Sequence, residues 1–134
     1  MKITRFDTND DLIIVAARVW GQFGQKRVSL ALDTAATQTL LVPDVLDELG
    51  YSVRDGEKVT VVRSAIGAEA GYTIRVARFA ALGFMSSDFQ IHAHDLPEGI
   101  GIDGLLGLSF LRQLNYEIRS AEGRIVVERV DGPG

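Results

Sequence analysis

Asp33 is the acidic residue that the sequence places best for general acid–base chemistry. It follows a segment in which Val28, Leu30 and Leu32 alternate with other residues, and this period of two is typical of a strand with one buried face. Thr34 and two alanines come next, so a carboxylate at the end of a rigid strand stands beside a close-packed turn. Aspartate and threonine also favour Asx turns and helix caps, and the tetrad alone leaves both interpretations open.

Other acidic and histidine residues give weaker signals. The pair Asp7-Thr8 lacks a preceding apolar strand and is followed by asparagine, so it predicts a turn. Asp103 lies in an Ile-Asp-Gly sequence, which is also a turn signal. His92 and His94 share one face of a predicted strand, but no third metal ligand accompanies them. We therefore expect solvated strand histidines there rather than a metal site.

Residues 99–104 match the Gly-x-Gly-x-x-Gly pattern of dinucleotide-binding loops. The pattern follows Leu-Pro-Glu rather than a strand, and no strand–helix–strand unit surrounds it, so the sequence predicts a loop. No histidine lies near a serine in a way that favours a Ser-His-Asp triad. We therefore expect neither a metal nor any other cofactor.

The composition excludes several classes of function. With 134 residues, 46% of them hydrophobic and 24% charged, we expect one globular domain over residues 1–134, with 1–11 and 131–134 at its periphery. A net charge of −4 and scattered Lys and Arg argue against nucleic-acid or anionic-membrane partners. The absence of cysteine excludes disulfides and thiol catalysis. No apolar run has membrane-spanning length and residues 1–7 lack a signal-peptide core, so we expect a cytoplasmic protein.

Strand patterns dominate the chain and predict a mainly β domain with one or two short helices. Residues 12–20 and 28–32 form a predicted hairpin through the turn at 21–24. A helix is predicted over residues 43–50, because proline lies near its start, acids occupy its first turn and glycine follows its end. The other predicted elements are strands at 38–42, 58–63, 72–82, 85–93, 116–119 and 124–130, and about two helical turns over 108–114.

Three motifs occur in order along the chain. The first runs from Asp33 to Ala36 (Asp-Thr-Ala-Ala), the second from Leu41 to Pro43 (Leu-Val-Pro), and the third from Gly101 to Gly107 (Gly-Ile-Asp-Gly-Leu-Leu-Gly). Their order and spacing, with a hairpin of small residues between them, resemble the single-domain retropepsin-like aspartic proteases, the retroviral type and its cellular relatives. The resemblance extends from about Leu12 to Val130 and implies a closed, mostly antiparallel acid-protease barrel.

The resemblance implies a role for each residue of the Asp-Thr-Ala-Ala tetrad. Asp33 corresponds to the catalytic aspartate, and Thr34 to the hydroxyl that braces the active-site loop across a dimer. Ala35 and Ala36 correspond to positions where the substrate backbone passes. The family has glycine at the position of Ala35, where a methyl group restricts positive φ and the close approach of another chain.

Two further segments receive roles from the same resemblance. Ile66 and Gly67 correspond to the tip of the hairpin flap that folds over the substrate. Leu105, Leu106 and Gly107 correspond to the apolar segment that packs behind the active-site loop and supports it.

The activity implied by the resemblance is that of an aspartic endopeptidase acting on a peptide or protein substrate. In such enzymes two carboxylates about 3 Å apart share one proton: the ionised one activates a water and the protonated one donates to the peptide carbonyl. This sequence offers one suitable aspartate, Asp33, so the second must come from another copy, and a twofold symmetric homodimer is expected. The alternative is a dimer of the same fold that binds peptides or acts in assembly, with catalysis lost through Ala35.

Overall fold

The computed structural model describes residues 1–56, 58–64, 67–97 and 99–130. Within these ranges strands predominate and the helices are short, as the sequence predicts. The strands are β1 (Lys2–Arg5), β2 (Ile14–Gly21), β3 (Gly24–Leu32), β4 (Leu40–Leu41), β5 (Lys58–Ser64), β6 (Gly67–Ala81), β7 (Phe84–Ala93), β8 (Gly104–Leu106), β9 (Leu114–Arg119) and β10 (Arg124–Arg129), and the α-helices are α1 (Pro43–Glu48) and α2 (Leu108–Leu111). No helix in the described ranges is long and apolar enough to cross a lipid bilayer.

Six strands close into a barrel. Strands β2, β3, β8, β4, β7 and β6 are hydrogen-bonded in that order, and β6 pairs with β2 from Ala17↔Ala81 to Trp20↔Arg78. Strand β5 extends the sheet beyond β6, with which it forms an antiparallel hairpin. Closure pairs the backbone groups that an open sheet leaves unpaired at its edges. The mainly β barrel that the sequence predicts is therefore confirmed.

Tyr51 continues the seam between β2 and β6 where their backbone pairing stops. Its hydroxyl donates to the carbonyl oxygen of Trp20 and accepts from the amide of Ala77, and both distances are 2.8 Å. The hydroxyl thus replaces the backbone hydrogen bond that a further β2–β6 pair after Trp20↔Arg78 would make. It fixes β6 at the level where this strand separates from β2.

An aromatic cluster of Phe79, Phe89 and Phe110 joins α2 to the barrel. The rings of Phe79 and Phe89 stack with centroids 5.0 Å apart, and Phe110 meets them edge-on at 5.2 and 5.8 Å. Each such pair contributes about 0.5–1.5 kcal/mol beyond the apolar area it buries. Because Phe110 follows closely after β8, the cluster fixes the segment that lies behind Asp33.

The remaining three strands form a separate sheet in the order β1-β10-β9. Residues 1–11, expected at the periphery, contribute β1 at the edge of this sheet. Ile125 and Val127 of β10 point into the core and are fully buried. Residues 131–134 lie outside the described part of the chain.

Local turn and cap chemistry accounts for the elements that the sequence predicts well. The predicted first hairpin is β2–β3, and the pair Gly21↔Gly24 closes its turn. Helix α1 begins at Pro43, after the N-cap residue Val42, as predicted.

Near the Asp33 loop, the predicted secondary structure differs from the structure at two places. The helix predicted over 108–114 ends at Leu111, because Leu114 already pairs with Arg129 at the start of β9. The glycine-rich segment predicted as a loop contains the start of β8 at Gly104. This three-residue strand exists because β3 pairs with it on one side and β4 on the other.

Candidate active site

Asp33 is the first residue after β3, and its backbone is held by β8. The last residue of β3, Leu32, pairs with Leu106 in a parallel register, and the amide of Asp33 donates to the carbonyl oxygen of Leu106 at 3.0 Å. The Asp33 side chain is partly buried. A carboxylate is thus presented from a backbone whose position is set by two strands.

The tetrad forms an Asx turn, one of the two interpretations that the sequence leaves open. Oδ1 of Asp33 accepts from the amide of Ala35 at 2.9 Å, and the carbonyl oxygen of Asp33 accepts from the amide of Ala36 at 3.2 Å. Among the described residues, no hydrogen bond forms to Oδ2 of Asp33. One carboxylate oxygen therefore orients the side chain, and the other remains available for proton transfer.

The residues that follow Asp33 differ in exposure. Thr34 and Ala35 are exposed, whereas Ala36 is only 1% exposed. In the described residues, positive φ at non-glycine positions occurs at Leu82 and Asp88, so Ala35 adopts a negative φ. The methyl group of Ala35 therefore fits its own backbone without strain.

The segment Leu105–Gly107 lies directly behind this turn. Leu106 is fully buried, and β8 is inserted between β3 and β4. A Cβ on Gly107 would overlap the carbonyl oxygen of Gln38 and lie 2.9 Å from that of Ala36. Glycine is required here because the returning arm of the Asp33 loop crosses this backbone in close contact.

Of the two predicted flap residues, the structure describes Gly67, which lies at the end of the β5–β6 hairpin. Gly67 is the first residue of β6 and pairs with Ser64, the last residue of β5. Ile66 lies outside the described residues. The hairpin itself is present, with its distal end formed by the pair Ser64↔Gly67.

The other two aspartates singled out in the sequence have structural roles. Oδ1 of Asp7 accepts from the amide of Asn9 at 2.9 Å, which confirms the predicted turn. Asp103 precedes β8, at the opposite end of that strand from Asp33. Its carboxylate accepts from the amide of Ser29 and its own amide donates to the Ser29 carbonyl oxygen, both at 2.8 Å. Asp103 therefore extends the pairing of β8 with β3.

The prediction of two solvated histidines is wrong for His92. This side chain is only 5% exposed, and burial lowers its pKa. Its amide donates to the carbonyl oxygen of Thr39 at 3.0 Å, so β7 also borders the end of the Asp33 loop. His94 is partly buried. Ile91, His92 and Ala93 are all buried, so both faces of β7 are covered at its end, and the expectation of one solvent-facing side fails there.

Two hydroxyl residues of the site, Thr39 and Ser109, escape prediction from the sequence. Thr39 is fully buried, and its Oγ1 lies 3.0 Å from the Oγ of Ser109, which donates to it. The two residues are separated by 70 positions, so no local pattern connects them. The one available sequence signal is that Thr39 directly precedes the apolar run Leu40-Leu41-Val42.

Comparisons with known proteins agree with this geometry. Residues 16–110 match the aspartyl protease family model, which covers more than half of the chain, and the chain belongs to that family. The crystal structure of a retropepsin-like aspartic protease from Rickettsia conorii is similar, with a TM-score of 0.64 over 94% of this chain and 96% of that chain. The two sequences are 17% identical, so the similarity shows a shared retropepsin-like fold. A comparison with curated proteins found no match.

Proposed function

We propose that the protein is an aspartic endopeptidase in which Asp33 is the catalytic acid–base. The observation that carries the proposal is the double anchoring of Asp33. Its amide is bound by Leu106 and its Oδ1 by the amide of Ala35, while Oδ2 receives no hydrogen bond among the described residues. A carboxylate held in this way is oriented before the substrate arrives. Membership of the aspartyl protease family supports the same reaction class.

The chemistry is the one established for aspartic proteases as a class. Two adjacent carboxylates cannot both ionise at close range, so they hold one proton between them. The ionised carboxylate removes a proton from water, whose oxygen attacks the peptide carbonyl carbon. The protonated carboxylate donates to the carbonyl oxygen, and proton transfer to the nitrogen then releases the amine.

The second carboxylate is proposed to be Asp33 of another copy of the chain. Asp7 follows β1 of the separate three-stranded sheet, and Asp103 is hydrogen-bonded to Ser29 beyond the far end of β8. Twofold symmetry brings identical residues together at the axis, which suits a site built from one aspartate per chain. The exposed side chain of Thr34 is proposed to brace the two loops across this axis.

The proposed substrate is an extended segment of a peptide or protein. Ala35 is exposed and offers little steric obstruction beside the carboxylate, and Ala36, which is only 1% exposed, is proposed to shape the turn under the substrate backbone. Ile66 with Gly67 is proposed to cover the substrate from the β5–β6 hairpin. Leu105 to Gly107 is proposed to support the loop from behind. An extended backbone bound between a loop and a hairpin can pair through main-chain hydrogen bonds. The cytoplasmic location expected from the sequence remains a prediction.

A second candidate function is a peptide-binding or assembly module of the same fold. The observation that favours it is Ala35, which stands where the family has glycine. The negative φ of Ala35 removes the backbone objection, so the remaining question is whether its exposed methyl group obstructs the substrate or the second chain.

Digestion of a peptide library distinguishes the two functions. The wild-type protein is compared with Asp33→Asn and with Asp7→Asn, a matched control because Asp7 also precedes a threonine and forms the same Asx hydrogen bond. We expect cleavage by wild type and Asp7→Asn, and none by Asp33→Asn, between about pH 4 and about pH 7. Cleavage by all three would exclude Asp33 chemistry.

Ala35→Gly tests the alternative in the same assay. If the wild type cleaves nothing and Ala35→Gly cleaves, the methyl group is the obstacle and the natural chain is the binding module. If neither cleaves, while both bind peptides, the module is again favoured. A wild type that cleaves as well as Ala35→Gly supports the peptidase.

A further inference from the structure

We propose that Thr39 and Ser109 are positioning residues that hold the Asp33 loop in its reactive geometry, an inference that rests on the proposed peptidase function. Thr39 ends the arm that returns from Asp33, and Ser109 lies in α2, directly after the β8 segment. Neither side chain is proposed to touch the substrate. Both act through the backbone that they tie together.

Three hydrogen bonds connect the two hydroxyls to the loop. The amide of Thr39 donates to Oγ of Ser109 at 2.9 Å, and Oγ of Ser109 donates to Oγ1 of Thr39 at 3.0 Å. Oγ1 of Thr39 also accepts from the amide of Gly107 at 3.2 Å. Thr39 is 0% exposed, so water does not compete for these bonds.

Backbone bonds tie the carbonyl oxygen of Thr39 to the amide of His92 in β7, but in the described residues they give no partner to the amides of Thr39 and Gly107. They join Asp33 to Leu106 at its start, and the amides of Leu108 and Ser109 to the carbonyl oxygens of residues 36 and 37 in its middle. The amides of Thr39 and Gly107 receive their partners from the two hydroxyls instead. A buried amide without a partner is costly, so the hydroxyl pair sets how closely the returning arm approaches Gly107.

This spacing bears on catalysis because the loop is short and is held at both ends. A shift of the arm at Thr39 is transmitted to Asp33, whose Oδ1 is bound within the same turn. Misplacement of a reacting group by about 1 Å can lower a rate by about 100-fold. Loss of the hydroxyl pair is therefore expected to affect kcat far more than KM.

The test compares Thr39→Val with Thr39→Ser and Ser109→Ala in peptide cleavage. Valine keeps the shape of threonine without its hydroxyl, whereas serine keeps the hydroxyl. Ile125→Val serves as a stability control, because Ile125 is fully buried in β10 and outside the loop. Assays are run at a temperature where circular dichroism shows every variant to be folded.

For Thr39→Val and Ser109→Ala we expect kcat to fall by about 10- to 100-fold with KM within about twofold of wild type. The pH profile of kcat/KM should also shift, since it reports the proton shared by the paired carboxylates. Thr39→Ser should recover most of kcat, and Ile125→Val should keep wild-type kcat. A Thr39→Val enzyme with wild-type kcat and pH profile would overturn the inference while leaving the peptidase intact. Absence of cleavage by the wild type would instead remove the proposed function and this inference with it.

Discussion

The amide of Asp33 donates to the carbonyl oxygen of Leu106 at 3.0 Å. This bond continues the parallel pairing of β3 with β8 by one residue, from Leu32↔Leu106 onto the acid itself. The position of the carboxylate is therefore set by a strand from the other end of the sequence. A substitution that displaces the β8 segment is expected to displace Asp33 as well.

Gly107→Ala should be among the most damaging single substitutions of the site. The added Cβ would overlap the carbonyl oxygen of Gln38, which is backbone and cannot rotate away. We expect the free energy of unfolding to fall by about 1–3 kcal/mol or more, as for other overpacked sites, and peptide cleavage to be lost. Urea denaturation measures the first effect.

Gly99→Ala is the control for Gly107→Ala. Gly99 has a positive φ of 82° but nothing lies within 4 Å of a Cβ placed there, so only backbone strain of about 1–2 kcal/mol is expected. Equal destabilisation by the two substitutions, with cleavage retained in both, would contradict the close approach at Gly107.

Tyr51→Phe should destabilise the fold by about 1–3 kcal/mol, because it leaves the carbonyl of Trp20 and the amide of Ala77 without their partner. Tyr116→Phe removes a hydroxyl that makes no hydrogen bond among the described residues, and it should change stability by less than about 0.5 kcal/mol. Urea denaturation of both variants measures the difference. A Tyr51→Phe protein as stable as Tyr116→Phe would show that the barrel seam does not depend on this hydroxyl.

His92 should make the fold less stable in acid. Burial lowers its pKa in the folded protein, so near pH 6.5 the unfolded chain binds a proton more readily than the folded one. The stabilisation from the neutral imidazole is complete above about pH 6.5 and is lost as the pH falls from there towards the folded pKa.

The measurement for His92 is the free energy of unfolding between about pH 8 and about pH 5. His92→Gln should flatten this dependence relative to wild type. Ile125→Val, a buried substitution in β10 that changes no titratable group, is the control and should keep the wild-type slope. If the free energy of unfolding varies with pH equally in wild type and His92→Gln, His92 does not contribute to the loss of stability in acid.

Local chemistry explains which parts of the fold the sequence could predict. The alternation before Asp33, the glycines at 21 and 24, and Pro43 at the start of α1 each act within a few residues, so the hairpin and helix could be predicted. Strand β8 could not, because it is three residues long and exists through pairing with β3 and β4. Sequence periodicity records neither partner.

The residues of the candidate site also differ in whether local sequence could reveal them. Asp33 and its tetrad could be found from a strand that ends in an acid and small residues. The Thr39–Ser109 pair and the burial of His92 depend on contacts between distant segments of the chain. These residues become visible only when β7, α2 and the Asp33 loop are brought together in the folded barrel.

Sharing of one active site by two Asp33 residues is tested most directly with mixed dimers. Wild-type and Asp33→Asn chains are refolded together in varying ratio at constant total concentration, and peptide cleavage is measured. If each site needs an aspartate from both chains, activity follows the square of the wild-type fraction, and an equal mixture retains about a quarter of it. Activity that falls in direct proportion to the wild-type fraction, leaving about half in an equal mixture, would mean that a single chain carries the whole site and would contradict the account.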